Sequence, residues 1–574
     1  MNALVGFARD AARRYLQSVV FVDDEIFDRH TGMVADPADL PKARKPVFRP
    51  EIGVQPTYYG KPEVAEIQQP YHPKELVGSF ARDGIICALY EPPEGFSTDS
   101  GSELFRLCER PDIIILDWDF SGDRGEKALS LIAALVKQSH DEFPHHARLL
   151  SIYTADPSLV AVANQIGDRL RGDGFEVQPE DSQCRLRSGA TRLVVFGKNI
   201  GRVGTDEEAF TVKEADLATR LIDEFAKMNS GILPSYALSG MAAVRANSKR
   251  ILDRFHGDMN GAFLLHRALL KESEEAFDQL PALLADELLA VLEDERLNST
   301  SVSAIVNDTV DGLEIKSPKK DWYYVSGRRM PATHFVAGEV VKELLKSGVV
   351  DRSRYSQVQQ VAQMPSKGFR GIGPDLITDL MAMVDTEDSS ANQRLASLFA
   401  IRTQYDSVTR HLSYGTIVRH LPTNGGQQPW VYSFCLMPIC DTVRLDKTHQ
   451  SQTGQSISFP FWKLREDVFL HNNSSGRGLA LVLPDGSAMS LLAGGKARDM
   501  LWVAGFPINM STGTITACRN GNGCFAFVSD QGLKIEWVGQ LKPLHAARIA
   551  HDIGQSLSRI GVVEAEWLRL LCDR

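Results

Sequence analysis

The sequence predicts an α/β fold for its N-terminal part, a doubly wound sheet of five parallel strands carrying a long insertion. Three observations lead there. Over the first 229 residues, short runs that are apolar on both faces alternate with amphipathic helical stretches. Four of those runs end in chemistry-bearing residues: Asp23 and Asp24, Asp117, Thr154, and Lys198. Beyond about 230 the pattern changes, first to Ala/Leu-rich helices and from about 413 to strands. The expected domains are therefore 1–229, a mainly helical region 230–412, and a β-rich α+β domain 413–574.

Taken in order, residues 3–16 carry apolar positions at helical spacing, with Arg13 and Arg14 on the other face. SVVFVDDE (18–25) is a short apolar run ending in acid. A polar, Pro-rich stretch of about 26–75 reads as an insertion with extended pieces. GIICALYE (84–91) reads as a buried strand and SELFRLCER (102–110) as a short helix. DIIILDWDF (112–120) is a second buried strand, and EKALSLIAALVKQS (126–139) has helical periodicity. ARLLSIYTAD (147–156) and TRLVVFGKN (191–199) are further strands. Between them, 157–173 is a helix with Pro in its first turn, and 213–229 is an amphipathic helix. Nine strand-like runs follow from YGTIVRHL to KIEWVG, and the end of the chain is again helical.

Composition narrows the function classes. A chain of 574 residues exceeds one typical core, so two to four domains are expected. With 43% hydrophobic and 24% charged residues it reads as a globular chain. Its formal net charge of −10 lacks the basic balance of phosphate-backbone binders, so nucleic acid is not an expected partner. No run of apolar residues is long enough to span a bilayer, and the N-terminus lacks a signal-peptide pattern. The eight cysteines form no CxxC pair and read as reduced, buried thiols of a cytoplasmic protein.

In an open parallel sheet, chemistry gathers at the carboxyl ends of the strands. Acids there, next to a hydroxyl and an ammonium, suit phosphoryl transfer to a carboxylate. That reaction brings negative charge onto negative charge, and a divalent metal offsets the repulsion. Mg²⁺ takes hard oxygen ligands and keeps several waters. Asp23 and Asp24 are the candidate metal holders, with Asp117 as ligand and nucleophile and the Asp119 backbone carbonyl as a further ligand. Lys198 supplies a positive point charge, and the Thr154 hydroxyl a hydrogen bond to a phosphoryl oxygen.

The motifs FVDDE, ILDWDFSGDRGEKAL, IYTADP and VVFGK, in this order, resemble the CheY-like receiver domains of two-component signalling. The resemblance covers about 18–225 and implies a flavodoxin-like receiver. It implies Asp117 as phosphoacceptor, Asp23 and Asp24 as the metal-binding pair, Thr154 as the switch hydroxyl and Lys198 as the pocket lysine. Gly125 matches the glycine of the loop after the acceptor strand. A histidine kinase or phosphotransfer protein is the implied partner, with another receiver protein as a further one. The sequence departs from the family at three places. Asp24 and Asp117 are separated by an insertion, Asn199 follows Lys198 where proline is usual, and Val195 stands where many receivers carry an aromatic. Asp119 and Asp156 add acids beside the pocket. The whole chain, lacking a recognisable output, is similar in architecture to the receiver-bearing proteins of bacterial anti-phage two-component systems, among them one that drains phosphoryl groups.

Other candidates are weaker. Cys435 and Cys440 lack the further ligands of a zinc site, and Cys440–Asp441 is a weak candidate on the C-terminal domain. Cys518 and Cys524 flank an Asn-Gly turn. His140, His145 and His146 read as a solvated loop, as does the basic stretch KSPKKDWYYVSGRR. GFRGIGPD (368–375) follows no strand and lacks a Walker lysine. Two alternative functions remain at this stage: a receiver-switched effector enzyme with its site in 413–574, and a scaffold with an inactive receiver.

Overall fold

The computed structural model describes residues 3–24, 26, 73–120, 122–142, 146–199, 207–270, 273–295, 299–314, 322–325, 328–331, 342, 345–346, 391–405, 408–421, 430–438, 442, 445, 456–466, 478–483, 487–493, 499–521 and 523–557. Nearly all of the expected insertion at 26–75 lies outside these residues, as do His145, Cys440, Asp441 and the 368–375 loop. The chain divides into two compact units, Met1–Thr309 and Val310–Arg574.

The first unit opens with α1 (Ala3–Tyr15) and β1 (Ser18–Val22). There follow α2 (Pro73–Ala81), β2 (Ile86–Tyr90), α3 (Glu103–Cys108), β3 (Ile113–Leu116), α4 (Glu126–Asp141), β4 (Arg148–Thr154) and α5 (Leu159–Gly172). Then come β5 (Gln178–Pro179), β6 (Arg185–Ser188), β7 (Thr191–Lys198), β8 (Thr211–Val212) and α6 (Glu214–Met228). Strands β3 and β4 are buried along their whole length, which is why their sequences are largely apolar rather than alternating. Side-chain caps set two helix starts: Ser102 Oγ accepts the Phe105 N–H, and Ser158 Oγ accepts the Ala161 N–H.

The sheet has eight strands, not five. Its order is β2-β1-β3-β4-β7-β6-β5, with β8 also on β7. The strands β2, β1, β3, β4 and β7 run parallel. The β5–β6 pair is antiparallel and extends the β7 side. These added strands are two and four residues long, Gln-Pro and Arg-Leu-Arg-Ser, so they carry no apolar run. The strand at 86–90 is an edge strand, and Ile86 is 73% exposed, so it is not the buried strand its composition suggests. Helices cover both faces: α2 packs on α6 and α1 on α6, while α3 packs on α4 and α4 on α5.

The helices α7 (Ile232–Ala246), α8 (Ser248–Leu252), α9 (Asn260–Leu269), α10 (Glu275–Asp294) and α11 (Ser299–Asp311) follow. Here α7 packs against α1, and Arg245 donates to the Tyr15 carbonyl at 3.1 Å. The helical stretch that begins after residue 229 therefore shares the first compact unit.

In the second unit β9 (Trp322–Val325) and β10 (Arg328–Pro331) form an antiparallel hairpin, so part of the basic stretch read as a loop is strand. The helix α12 (Ala391–Ala400) precedes β11 (Thr416–His420), β12 (Val431–Cys435) and β13 (Ser456–Glu466). There follow β14 (Gly478–Val482), β15 (Ala488–Ala493), β16 (Met500–Pro507), β17 (Cys518–Arg519), β18 (Phe525–Val528), β19 (Lys534–Gln540) and the helix α13 (Pro543–Leu557). They make an antiparallel sheet of order β14-β15-β13-β12-β11-β19-β18-β17, with β16 on β13. Alternate residues of β13 enter different cores: Trp462 and Leu464 pack with Ile549, and Phe459 and Phe461 pack with Phe506.

One buried ion cluster ties α6 to β6 and β7. Glu224 accepts from Arg185 Nε at 2.8 Å and Nη2 at 2.7 Å, while Arg192 Nη1 donates to its carbonyl at 2.8 Å. Burial pushes the Glu224 carboxyl up, but Arg185 and Lys227 hold it below the ordinary range. A depressed carboxyl contributes stability above its unfolded value and loses it as pH falls through the lower folded one. Glu224→Ala takes both carboxylate hydrogen bonds from the buried Arg185 guanidinium. It is expected to destabilise the first unit by about 3–5 kcal/mol in denaturant unfolding at neutral pH.

Candidate functional site

Strand register brings the pocket together. Val22 pairs with Leu116, so Asp23 and Asp117 are the next residues along two adjacent strands. The ladder continues one step past both strands: Asp23 N–H donates to the Tyr90 carbonyl at 3.3 Å and Asp117 N–H to the Val22 carbonyl at 2.9 Å. Both carboxylates therefore leave the sheet at its carboxyl rim, and both residues are buried. Thr154 pairs with Gly197 at the ends of β4 and β7, and Lys198 follows directly.

The Lys198 ammonium joins the acids. Its Nζ donates to Asp117 Oδ1 at 2.6 Å and to Asp23 Oδ2 at 3.2 Å. The other Asp117 oxygen, Oδ2, accepts the Asp119 N–H at 2.9 Å. Both oxygens of Asp117 are thus held, which fixes the carboxylate plane. Burial pushes the Asp117 carboxyl up to about 6, against the pull of Lys198 and with a further push from Asp23. Burial also works against the charge on Lys198, yet the two carboxylates hold its pKa above the usual lysine value.

The loop after β3 is built around Trp118. The ring is buried and Gly125 lies over it, with φ of 91°. A Cβ on Gly125 would stand 2.3 Å from ring atoms of Trp118, so glycine is required there for both conformation and space. Arg124 also has positive φ, and its N–H donates to Asp119 Oδ1 at 2.8 Å. The Asp123 carboxylate accepts the Gly125 and Lys127 N–H groups at 3.0 and 2.9 Å, capping the start of α4.

The site residues expected from sequence fall into two groups. Asp23, Asp117 and Lys198 are in direct contact. Thr154 is buried on the neighbouring strand, and its Oγ1 accepts the Asp156 N–H at 3.0 Å. Asp24 is half-buried in the turn after β1, and Asp119 is exposed with its side chain turned into its own loop. Among the described residues no group of three or more His, Cys, Asp and Glu is assembled to hold a metal. Sequence reading passed over Trp118 and Glu207. The Glu207 carboxylate accepts from Ser158 Oγ at 3.5 Å and the Val160 N–H at 3.3 Å, tying the start of α5 to the segment before α6.

The other sequence candidates stay apart. Burial pushes Cys87, Cys108 and Cys435 up to about 12 and Cys184 up to about 11, so these thiols are unreactive. Cys518 is exposed and Cys524 half-buried, contrary to the expectation of buried thiols, because they flank a surface hairpin turn. His140 is exposed and bonded to Asp141, and His146 is half-buried.

An open parallel sheet with a lysine-bridged pair of acids at its carboxyl rim belongs to the receiver class of α/β domains. Residues 15–203 match the family model described as the response receiver domain. The chain thus carries a response-regulator-like receiver of two-component signalling in its N-terminal third. No curated protein and no solved structure matches the chain. No helix among the described residues is long and apolar enough to cross a membrane.

Two outcomes are expected. Gly125→Ala forces either the loop or the Trp118 ring to move and lowers stability by about 1–3 kcal/mol in thermal unfolding. Asp117 has a raised folded pKa, so its contribution to stability is complete below the ordinary carboxylate value and is lost as pH rises through about 6. Asp117→Asn is therefore expected to flatten the pH dependence of melting across that window. Parallel curves for wild type and variant from acid to neutral pH would sink this assignment.

Proposed function

We propose that the receiver takes a phosphoryl group onto Asp117 from a histidine kinase or phosphotransfer protein, with Mg²⁺ bound at the rim. The observation that carries the reading is the Lys198 ammonium shared by Asp117 and Asp23, at 2.6 and 3.2 Å. It keeps a buried carboxylate ionised, and only the ionised carboxylate is a nucleophile.

The donor set suits the ion. Two buried carboxylates against one ammonium leave an excess of negative charge, and their hard oxygens match a cation that binds through one or two carboxylates and keeps its waters. Asp23 and Asp117 would hold it, with Asp24 and the Asp119 carbonyl as further ligands. Bound there, Mg²⁺ supplies neutralisation of the charge on the phosphoryl oxygens.

The chain's own residues do the rest. An Asp117 oxygen forms the bond to phosphorus as the bond from phosphorus to the donor breaks, and the leaving group keeps that electron pair. The hydrogen bond from Asp119 N–H orients the carboxylate. Lys198 then has a phosphoryl oxygen to bind in place of the carboxylate charge. The Thr154 hydroxyl accepts the Asp156 N–H through its oxygen and would donate its own proton to the new group.

For the chain as a whole we propose a phosphate sink or regulator that drains phosphoryl groups from the kinase. The absence of a recognisable output motif in the sequence supports it. The proposed setting, bacterial defence against phage, rests on likeness of chain architecture.

Incubation with Mg²⁺ and acetyl phosphate, read by intact mass, tests the pocket. Wild type is expected to gain one phosphoryl group, and Asp117→Ala none. Uptake is expected to fall as pH drops through about 6, because protonated Asp117 neither attacks nor binds metal. An adduct of equal yield on Asp117→Ala would overturn the assignment.

A further inference from the structure

The loop after β3 holds the one non-glycine residue at positive φ among the described residues. Gly122, Arg124 and Gly125 have φ of 81°, 57° and 91°. Glycine takes that conformation freely, whereas any other residue there brings its Cβ against the following carbonyl. Two of the three positions use glycine, and the third carries an arginine. Backbone strain kept beside a reactive group points to a use for the side chain that causes it.

Hydrogen bonds place Arg124 close to the acceptor. Its N–H donates to Asp119 Oδ1 at 2.8 Å, and the Asp119 N–H donates to Asp117 Oδ2 at 2.9 Å. The Arg124 backbone is therefore two hydrogen bonds from the Asp117 carboxylate. The other acid of the loop, Asp123, accepts the Gly125 and Lys127 N–H groups. Arg124 itself is exposed, and among the described residues its guanidinium makes no hydrogen bond or ion pair. Its five N–H donors stay available to a ligand. The other bases near the pocket are engaged: Lys198 is bound to Asp117 and Asp23, and the Lys127 ammonium lies over the Phe96 ring at 4.3 Å.

The rim gives such a cation work to do. The described connections after β1, β2, β3 and β4 include Asp24, Glu91, Glu94, Asp99 and Asp156, and Arg124 is their only base. A phosphoryl group arriving on its donor is an anion and meets like charge on that rim. A guanidinium matches phosphoryl oxygens with two parallel hydrogen bonds, which an ammonium cannot form.

We propose that Arg124 is the donor-binding residue of the phosphoryl site: its guanidinium takes the oxygens of the incoming phosphoryl group and holds them while Asp117 attacks. The inference rests on the reading of Asp117 as phosphoacceptor and adds the residue that recognises the donor.

The test is the second-order rate constant for phosphoryl uptake from acetyl phosphate, with Mg²⁺ in excess, read by intact mass in timed samples of the full chain. Wild type, Arg124→Asn and Arg124→Lys are compared. Asparagine tolerates the left-handed backbone and carries no charge, while lysine restores the charge without the fork. Arg124→Asn is expected to slow uptake about 10-fold, with the fold intact by circular dichroism, and Arg124→Lys to recover part of the loss. Added salt is expected to narrow the gap between wild type and Arg124→Asn. Uptake by Arg124→Asn at the wild-type rate overturns the proposal and leaves the phosphoacceptor in place. So does a loss that lysine does not recover, which would mark a structural role for the loop. A wild type that gains no phosphoryl group removes the phosphoacceptor reading, and this inference with it.

Discussion

A single ammonium group holds the receiver's rim together. Asp23 and Asp117 end adjacent strands in register, both buried, at a place where two carboxylates would otherwise repel. Lys198 stands on neither strand; it ends β7, with β4 between β7 and β3. Its four-carbon stem is long enough to cross that strand and place Nζ between the acids. The compensation is incomplete, since Asp117 still holds its proton more tightly than an ordinary carboxylate. An incompletely balanced pocket is one that gains from an added cation.

Around this pair the backbone is held by packing and hydrogen bonds within the loop. Trp118 and Gly125 pack so closely that no side chain fits at position 125, and the carboxylates of Asp119 and Asp123 accept loop N–H groups. On the far side of the pocket the end of β4 is tied to the chain entering α6. Tyr153 Oη donates to the Val212 carbonyl at 2.9 Å, and Glu207 caps the start of α5. Val195, in the position where many receivers carry an aromatic, is buried in the sheet. The aromatic that precedes Thr154 along β4 is Tyr153, and its hydroxyl donates to the Val212 carbonyl of β8.

Much of the fold was legible because burial on two faces leaves a simple trace. Strands β1, β3, β4 and β7 are built on apolar runs, and the nine runs from YGTIVRHL to KIEWVG all contain strands. What escaped had no such trace. The β5–β6 pair is short and polar, and β9–β10 lies in a basic stretch. The edge position of β2 depends on which strand finds which neighbour, and an apolar composition does not distinguish an edge from a centre. Trp118 reads as a core aromatic in sequence, since nothing local shows that Gly125 will lie on it.

The sequence alone determined the residue types at the strand ends, because acids, a hydroxyl and a lysine after apolar runs are readable one strand at a time. Tertiary structure decided which of them meet. Strand order and register placed Asp23 beside Asp117 and brought Lys198 to both, while Asp24 and the Asp119 side chain stayed outside that contact. Hydrophobic periodicity specifies that a strand is buried, but hydrogen-bond pairing between segments far apart in the chain specifies its neighbours.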